Sequence, residues 1–279
     1  MTKYYQRILP KIYGSYFNAL ALFSKDKVAE KAYLLFCTPR KGRILPMQVQ
    51  FLEEAKKEVV TVGDMNVQTY NWDGEKETIL LLHGWESNSF RWRYLIGYLK
   101  REGFRVLAFD APAHGYSSGS LFNVIRYTEC TQTIVSRYNP DYIIGHSVGG
   151  MTAVYHQYRF PGNSLKKVIS IGAPAEFSDV MKRYQEILGF NDQVLTALDA
   201  YYKKHFGFGI DDFTTAEYAK SITIPGLLIH DELDLIAPCW GSEKVHAKWI
   251  SSKLIKTRGL GHSMHQEQVN EQIIDFLKS

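Results

Sequence analysis

The sequence predicts an α/β protein in which helices cover both faces of a mostly parallel sheet, with a helical extension before the sheet and one helical insertion within it. Three observations carry this. From Thr78 onward short apolar runs alternate with helical patterns, the rhythm of βαβ units. The runs are continuous rather than alternating, as strands buried on both faces require. That rhythm lapses once, between Ala173 and Ile222, where the texture is helical and no strand-like run occurs.

Taken in order, residues 1–57 read as helical. Tyr13, Tyr16, Phe17 and Leu20 recur at helical spacing after Pro10, which suits a first-turn position. A second helix starts after Ser24, a residue type suited to an N-cap, and runs through Phe36 to the stop at Thr38-Pro39-Arg40-Lys41-Gly42. A third, shorter helix carries Val49, Phe51, Leu52 and Ala55. Glu58–Val62, a Gly63-Asp64 turn and Met65–Trp72 then read as an antiparallel hairpin closed by Asp73-Gly74. The parallel runs are Ile79–Leu82, Val106–Phe109, Tyr142–Ile144, Val168–Ile171, Leu227–Ile229 and Lys253–Ile255. Between the first two, Arg91–Arg101 puts Trp92, Leu95, Ile96 and Leu99 on one stripe ended by Gly103. The chain therefore divides into an extension over 1–57, a core over 58–172 and 223–279, and an insertion over 173–222, read as a cap over the sheet. Within the insertion Phe177, Tyr184, Phe190, Tyr201, Tyr202, Phe206 and Phe208 either line an acyl pocket or form the cap's own core.

A chain of 279 residues can bury a large core, and its apolar fraction of 45% is ordinary for a globular protein. The net charge of +4 is too small to argue for nucleic acid. The charge is uneven, with 11 Lys and Arg against 5 Asp and Glu in residues 1–60. A solvated helix face is the simpler reading, and contact of residues 1–24 with an anionic membrane is the alternative. Cys37, Cys130 and Cys239 are widely spaced without a CxxC pair, which excludes a disulfide framework and a zinc site and suits a reducing compartment. With no signal-peptide pattern and no membrane-spanning run, a soluble, cytoplasmic protein is expected. No cofactor or metal is expected, and nothing sets the oligomeric state.

Gly145-His146-Ser147-Val148-Gly149 follows the apolar run Tyr142–Ile144 and opens a helical pattern. A serine between two glycines at a sharp strand-to-helix turn is the layout of a nucleophile elbow, where larger side chains at the glycine positions would collide with the neighbouring strand and helix. The pattern alone recurs by chance in roughly one chain in ten of this length. Its setting says more. Ligand sites of open parallel sheets form beyond the carboxyl ends of the strands. At those ends stand His83-Gly84-Trp85, Asp110 to Gly115, Ser147, His230 to Asp234, and Gly259 to His262. A nucleophile, an acid and a base thus fall at one edge. A hydroxyl needs a base within reach, and the base needs an orienting group that stabilises its charge. Ser147 is assigned as nucleophile, His262 as base and then acid, and Asp234 as its partner. The backbone N–H groups of Trp85 and Val148 are the candidate oxyanion donors. His83, Gly84 and His146 flank the site as positioning groups, and His114 is read as structural. Asp231 or Glu232 competes for the role of the acid, and His265 for that of the base.

These motifs resemble the α/β-hydrolase superfamily: the order Ser…Asp…His, the H-G-W loop, D-x-P-x-H-G-x-S at Asp110–Ser117, G-H-S-V-G-G, D-x-x-x-P at Asp234–Pro238 and the final G-H. The likeness covers roughly residues 58–279. It implies a three-layer sandwich around an eight-stranded, mostly parallel sheet, a cap after the sixth strand, and ester or related hydrolysis. Ala113 and Asp231 depart from the glycines many members carry there. The single-glycine H-G-W loop resembles enzymes that act on esters of simpler alcohols. The expected function is a serine hydrolase that cleaves a small or medium carboxylic ester through an acyl-enzyme. Thioester or carbon–carbon hydrolysis, perhydrolysis, and a low-turnover ligand-binding protein are the alternatives. The resemblance does not extend to residues 1–57 and implies no function for them.

Overall fold

The computed structural model describes residues 2–279, with side chains described from Ile8 onward. Eight strands form one sheet: β1 (Lys56–Val62), β2 (Met65–Trp72), β3 (Thr78–Leu82), β4 (Arg105–Phe109), β5 (Tyr142–His146), β6 (Lys167–Ile171), β7 (Gly226–Asp231) and β8 (Ser252–Thr257). Their order is β1-β2-β4-β3-β5-β6-β7-β8. The β1–β2 and β2–β4 pairs are antiparallel, and all others are parallel. This is the sheet the sequence leads one to expect.

The continuous apolar runs have their reason in the two faces of that sheet. Ile79 and Leu81 of β3, with Val106, Ala108 and Ile144, join one core cluster under α4 (Arg93–Arg101) and α11 (Glu267–Lys278). Leu80 and Leu82, with Leu107, Phe109 and Ile143, join the other under α5 (Val124–Tyr138) and α6 (Val148–Arg159). Alternate residues of each strand therefore leave water on opposite sides, and each large one contributes about 1.5–3 kcal/mol. Local signals delimit the helices. The Asn123 side chain accepts from the Arg126 amide at 2.8 Å to start α5, and Gly103, at φ 87°, follows the end of α4.

The chain forms two compact units, and their borders differ from those drawn on composition. The sheet unit comprises Pro39–Ala175 and Thr215–Ser279. It includes α3 (Pro46–Glu53), because Leu52 and the following Ala55 are buried in the first core cluster. It also includes α9 (Thr215–Ala219), because Ala216, Ala219 and Ile222 belong to the second, beside α10 (Trp240–Lys248). The helical unit joins Met1–Thr38 to Glu176–Thr214. Its helices are α1 (Thr2–Ala21), α2 (Lys25–Cys37), α7 (Phe177–Leu188) and α8 (Asp192–Phe206).

Within the helical unit the aromatic residues of the insertion pack on one another and on α2. The Tyr33 ring lies 5.0 Å from Tyr201 and 5.8 Å from Tyr202, and Phe36 lies 5.0 Å from Tyr184. Gly14 lets α1 approach α7, since a Cβ there would fall 2.1 Å from the Leu188 carbonyl oxygen. Ser24 caps α2 by accepting from Lys27. Pro10 does not mark the first turn as its residue type suggests. It lies inside α1, where it removes one backbone hydrogen bond, and the buried contacts of Gly14, Phe17 and Ala21 hold the helix in register beyond it.

Candidate active site

The elbow sits between β5 and α6. Ser147 has φ 55° and ψ −125°, a sparsely populated conformation for a residue with a side chain. Its neighbours hold it there. The Ser147 amide donates to the Ile171 carbonyl of β6 at 2.8 Å, and the amides of Gly150 and Met151 donate back to its carbonyl. A Cβ on Gly145 would lie 2.2 Å from the Gly149 oxygen, and one on Gly149 would lie 2.2 Å from the Leu82 oxygen. Both glycines are therefore needed so that strand, turn and helix can meet.

Three side chains from three strand ends form one hydrogen-bonded line. Ser147 Oγ lies 3.0 Å from His262 Nε2, and His262 Nδ1 lies 2.7 Å from Asp234 Oδ2. The Asp234 side chain is fully buried, while that of His262 is 19% exposed. Burial pushes the Asp234 carboxyl up. The contacts with His230 and His262 and the amides of Ile236 and Ala237 outweigh that and hold it well below the usual carboxylate range. Those two amides donate to Oδ1 at 2.8 and 3.0 Å, leaving Oδ2 for His262.

Asp231, three residues earlier, faces elsewhere. Its Oδ2 accepts from the Thr257 hydroxyl at 2.9 Å and the Leu260 amide at 2.8 Å, so it ties the end of β7 to the loop carrying His262. Glu232 is exposed near Lys256 and Arg258. His265 is kept neutral, with burial, and then Arg91 and Arg93, lowering its imidazole to about 4. It lines a small recess with Arg91, Asn270 and Met264.

The flanking histidines hold backbone. His83 Nδ1 donates to the Gly84 carbonyl at 2.8 Å, and its Nε2 accepts from the Ala111 amide at 2.9 Å. Burial lowers this ring to about 4. His114 donates to the Pro112 carbonyl and accepts from the Glu86 amide, and burial lowers it to about 3. His146 Nε2 donates to the His262 carbonyl at 2.7 Å. The H-G-W loop lies against the elbow, for a Cβ on Gly84 would fall 3.0 Å from both Ser147 Cβ and His146 Nδ1. Val148 is the first residue of α6, where N–H groups have no acceptor within the helix.

Residues Glu77–Phe190 match the alpha/beta hydrolase fold family, a stretch that holds the H-G-W loop and the elbow. The chain has the fold of the α/β-hydrolases. A bifunctional esterase/perhydrolase of Acinetobacter calcoaceticus is 24% identical to this chain over 275 residues, covering 79% of the chain and 99% of the relative. A monoacylglycerol lipase of Mycolicibacterium smegmatis is 22% identical over 264 residues, covering 78% and 93%. Among solved structures, an esterase from Exiguobacterium antarcticum superposes with a TM-score of 0.64 at 16% identity, covering 80% of this chain and all of the other.

Two residues of the site escape sequence reasoning. His230 packs beside the acid, with Nε2 donating to the Ala237 carbonyl at 2.7 Å and lying 3.4 Å from Asp234 Oδ2. Its position at the end of an apolar run was the only available signal. Arg91 Nη2 donates to the Ser263 carbonyl at 2.7 Å, next to the carbonyl held by His146. Nothing in the sequence links positions 91 and 263. Among the described residues, no cluster of His, Cys, Asp or Glu could hold a metal ion. Cys130 is buried, which pushes its thiol up to about 12.

Proposed function

We propose that this α/β-hydrolase cleaves a small or medium carboxylic ester through an acyl-enzyme on Ser147. The observation that carries the reading is the continuous line Ser147 Oγ–His262 Nε2, 3.0 Å, and His262 Nδ1–Asp234 Oδ2, 2.7 Å. Ser147 Oγ attacks the ester carbonyl while His262 Nε2 takes its proton. The resulting imidazolium points its Nδ1–H at a carboxylate that the surrounding donors keep ionised at neutral pH. The oxyanion is received by the amides of Val148 and Trp85, the first at a helix N-terminus and the second in the loop packed against the elbow. His262 returns the proton to the leaving alcohol, which departs. A water molecule then gives a proton to His262 as it attacks the acyl carbon, and the Ser147 Oγ–acyl bond breaks with His262 returning that proton to Ser147 Oγ, which releases the acid.

The names of the two relatives support an ester or lipid-ester substrate. The first also favours a second reading. Hydrogen peroxide would attack the same acyl-Ser147 in place of water, pass its proton to His262 and release a peracid.

A fluorophosphonate probe and p-nitrophenyl esters of graded acyl length test the proposal together. The wild-type protein should be labelled and turn over the esters, and Ser147→Ala should lose labelling and on the order of 10⁵-fold in kcat. A folded wild-type protein that stays unlabelled and inert on every ester would overturn it. Added hydrogen peroxide should divert acyl groups to peracid if the second reading also holds.

A further inference from the structure

Within residues 1–57, to which the motifs assign no role, residues 39–43 form a strap that belongs to the sheet unit. Arg40 donates its amide to Glu86 Oε1 at 2.8 Å. The Gly42 carbonyl accepts from the Gly115 amide at 2.9 Å and from Asn88 Nδ2 at 3.2 Å, so one peptide oxygen bridges the loop after β3 to the loop after β4. Arg43 donates from Nη1 to the Ser117 and Gly115 carbonyls, at 2.7 and 3.2 Å, and from Nη2 to that of Gly119 at 3.2 Å. The strap passes close to both loops. Gly42 has φ 95°, and a Cβ there would fall 2.6 Å from His114 Cδ2 and 2.8 Å from the Ser87 carbonyl oxygen.

The loop after β3 carries strain where the strap crosses it. Glu86 has φ 50°, in the left-handed region, and follows Trp85, whose amide is a candidate oxyanion donor. The Glu86 amide donates to His114 Nε2 at 3.1 Å, and its carboxylate holds the Arg40 amide. Without these ties Glu86 would relax toward an ordinary backbone conformation and turn the neighbouring peptide groups with it. Oxyanion donors act only when they are already aimed, within about 2.7–3.1 Å of the developing charge. We propose that residues 39–43 are a positioning element of the oxyanion hole, which holds Glu86 in its left-handed conformation and so aims the Trp85 amide at the reacting carbonyl oxygen. This role presupposes the acyl-enzyme on Ser147.

The test compares Glu86→Ala, which removes the acceptor for Arg40, with Glu86→Gln, which keeps it, and with Gly42→Ala, which pushes the strap off His114 and Ser87. Glu86→Ala and Gly42→Ala should lower kcat on a p-nitrophenyl ester by about 10–100-fold with KM within about twofold, the scale of a misplacement of about 1 Å. The inhibition constant of a trifluoromethyl ketone, which forms a tetrahedral oxyanion on Ser147, should rise by the same factor. Glu86→Gln should stay within about threefold of wild type, as should Lys41→Ala, an exposed neighbour in the strap. Hydrogen exchange read by mass spectrometry should be faster over residues 84–88 in Glu86→Ala and Gly42→Ala. A role in stability alone would lower the melting temperature and leave kcat and the inhibition constant of the folded protein unchanged, and that result would overturn the proposal. So would a Glu86→Gln as impaired as Glu86→Ala, or a loss confined to KM. In each of these cases wild type still turns over esters and Ser147→Ala does not, so the acyl-enzyme stands. A wild type inert on every ester would remove both.

Discussion

His146 donates its Nε2 proton to the backbone carbonyl of His262 at 2.7 Å, so the residue before the candidate nucleophile holds the loop of its candidate base. Arg91 holds the next carbonyl, that of Ser263, at 2.7 Å. Two side chains, one at the end of β5 and one in the turn just before α4, thus clamp consecutive peptide groups. The span from Ser147 to His262 is set by this clamp as well as by their own hydrogen bond.

Loosening that clamp should damage turnover more than binding. His146→Ala and Arg91→Met are each expected to lower kcat by about 10–100-fold, since a misplacement of about 1 Å costs on that order. KM for a soluble ester should change little, and Arg91→Lys should recover part of the loss. Steady-state kinetics on the purified variants would read this. A rise in KM with an unchanged kcat would assign these residues to substrate binding instead.

Asp234 and Asp231 should separate activity from stability. Asp234→Asn is expected to cost about 10⁴-fold in kcat, because the base then loses both its orienting partner and a fixed negative charge. Asp231→Asn removes the acceptor of one buried and one partly buried hydrogen bond and should cost about 1–3 kcal/mol of stability, with kcat changed by a few-fold. Both carboxyls are held below their ordinary values, each against a burial effect that opposes the shift. Their contribution is therefore complete at neutral pH and is lost as the pH falls below the unfolded value of about 4 toward the folded values. Urea melts between pH 7 and pH 3 should show this acid loss in the wild type and a shallower one in Asp231→Asn.

The elbow should tolerate no side chain at position 149. The Cβ of Gly149→Ala would fall 2.2 Å from the Leu82 carbonyl oxygen, which belongs to the central strand β3 and cannot swing away as a side chain tip can. A loss of about 3 kcal/mol or more is expected in the denaturant midpoint. Gly162→Ala is a fitting control, because its Cβ would meet nothing within 4 Å, although its φ of 77° carries a smaller strain of its own.

Much of this architecture is legible one segment at a time. The apolar runs Ile79–Leu82 and Val168–Ile171 lie within β3 and β6, because burial on both faces of a sheet leaves its mark on consecutive residues. Ser24 starts α2 because a hydroxyl that bonds an amide three residues on is a local event. Pro10 misleads for the complementary reason: its residue type suits a helix start, but the contacts that carry α1 past it come from elsewhere in the helical unit. The grouping of α1 and α2 with α7 and α8 is similarly absent from the sequence pattern, since Tyr33 and Tyr201 meet across well over a hundred intervening residues.

The sequence by itself determined the strand ends at which the reactive residue types gather, and it named Ser147, His262 and Asp234, with His265 competing for the base and Asp231 or Glu232 for the acid. Steric and hydrogen-bonding rules over a few neighbouring residues are enough for that. Only the tertiary structure decided which carboxylate meets the imidazole, for Asp231 and Asp234 stand three residues apart at the end of β7 and differ in the partners that the loop after β8 brings to them. The same holds for the clamp of His146 and Arg91 and for the side of α1 left facing water. Each depends on surfaces meeting at long sequence separation, where packing geometry, and not local preference, selects the partner.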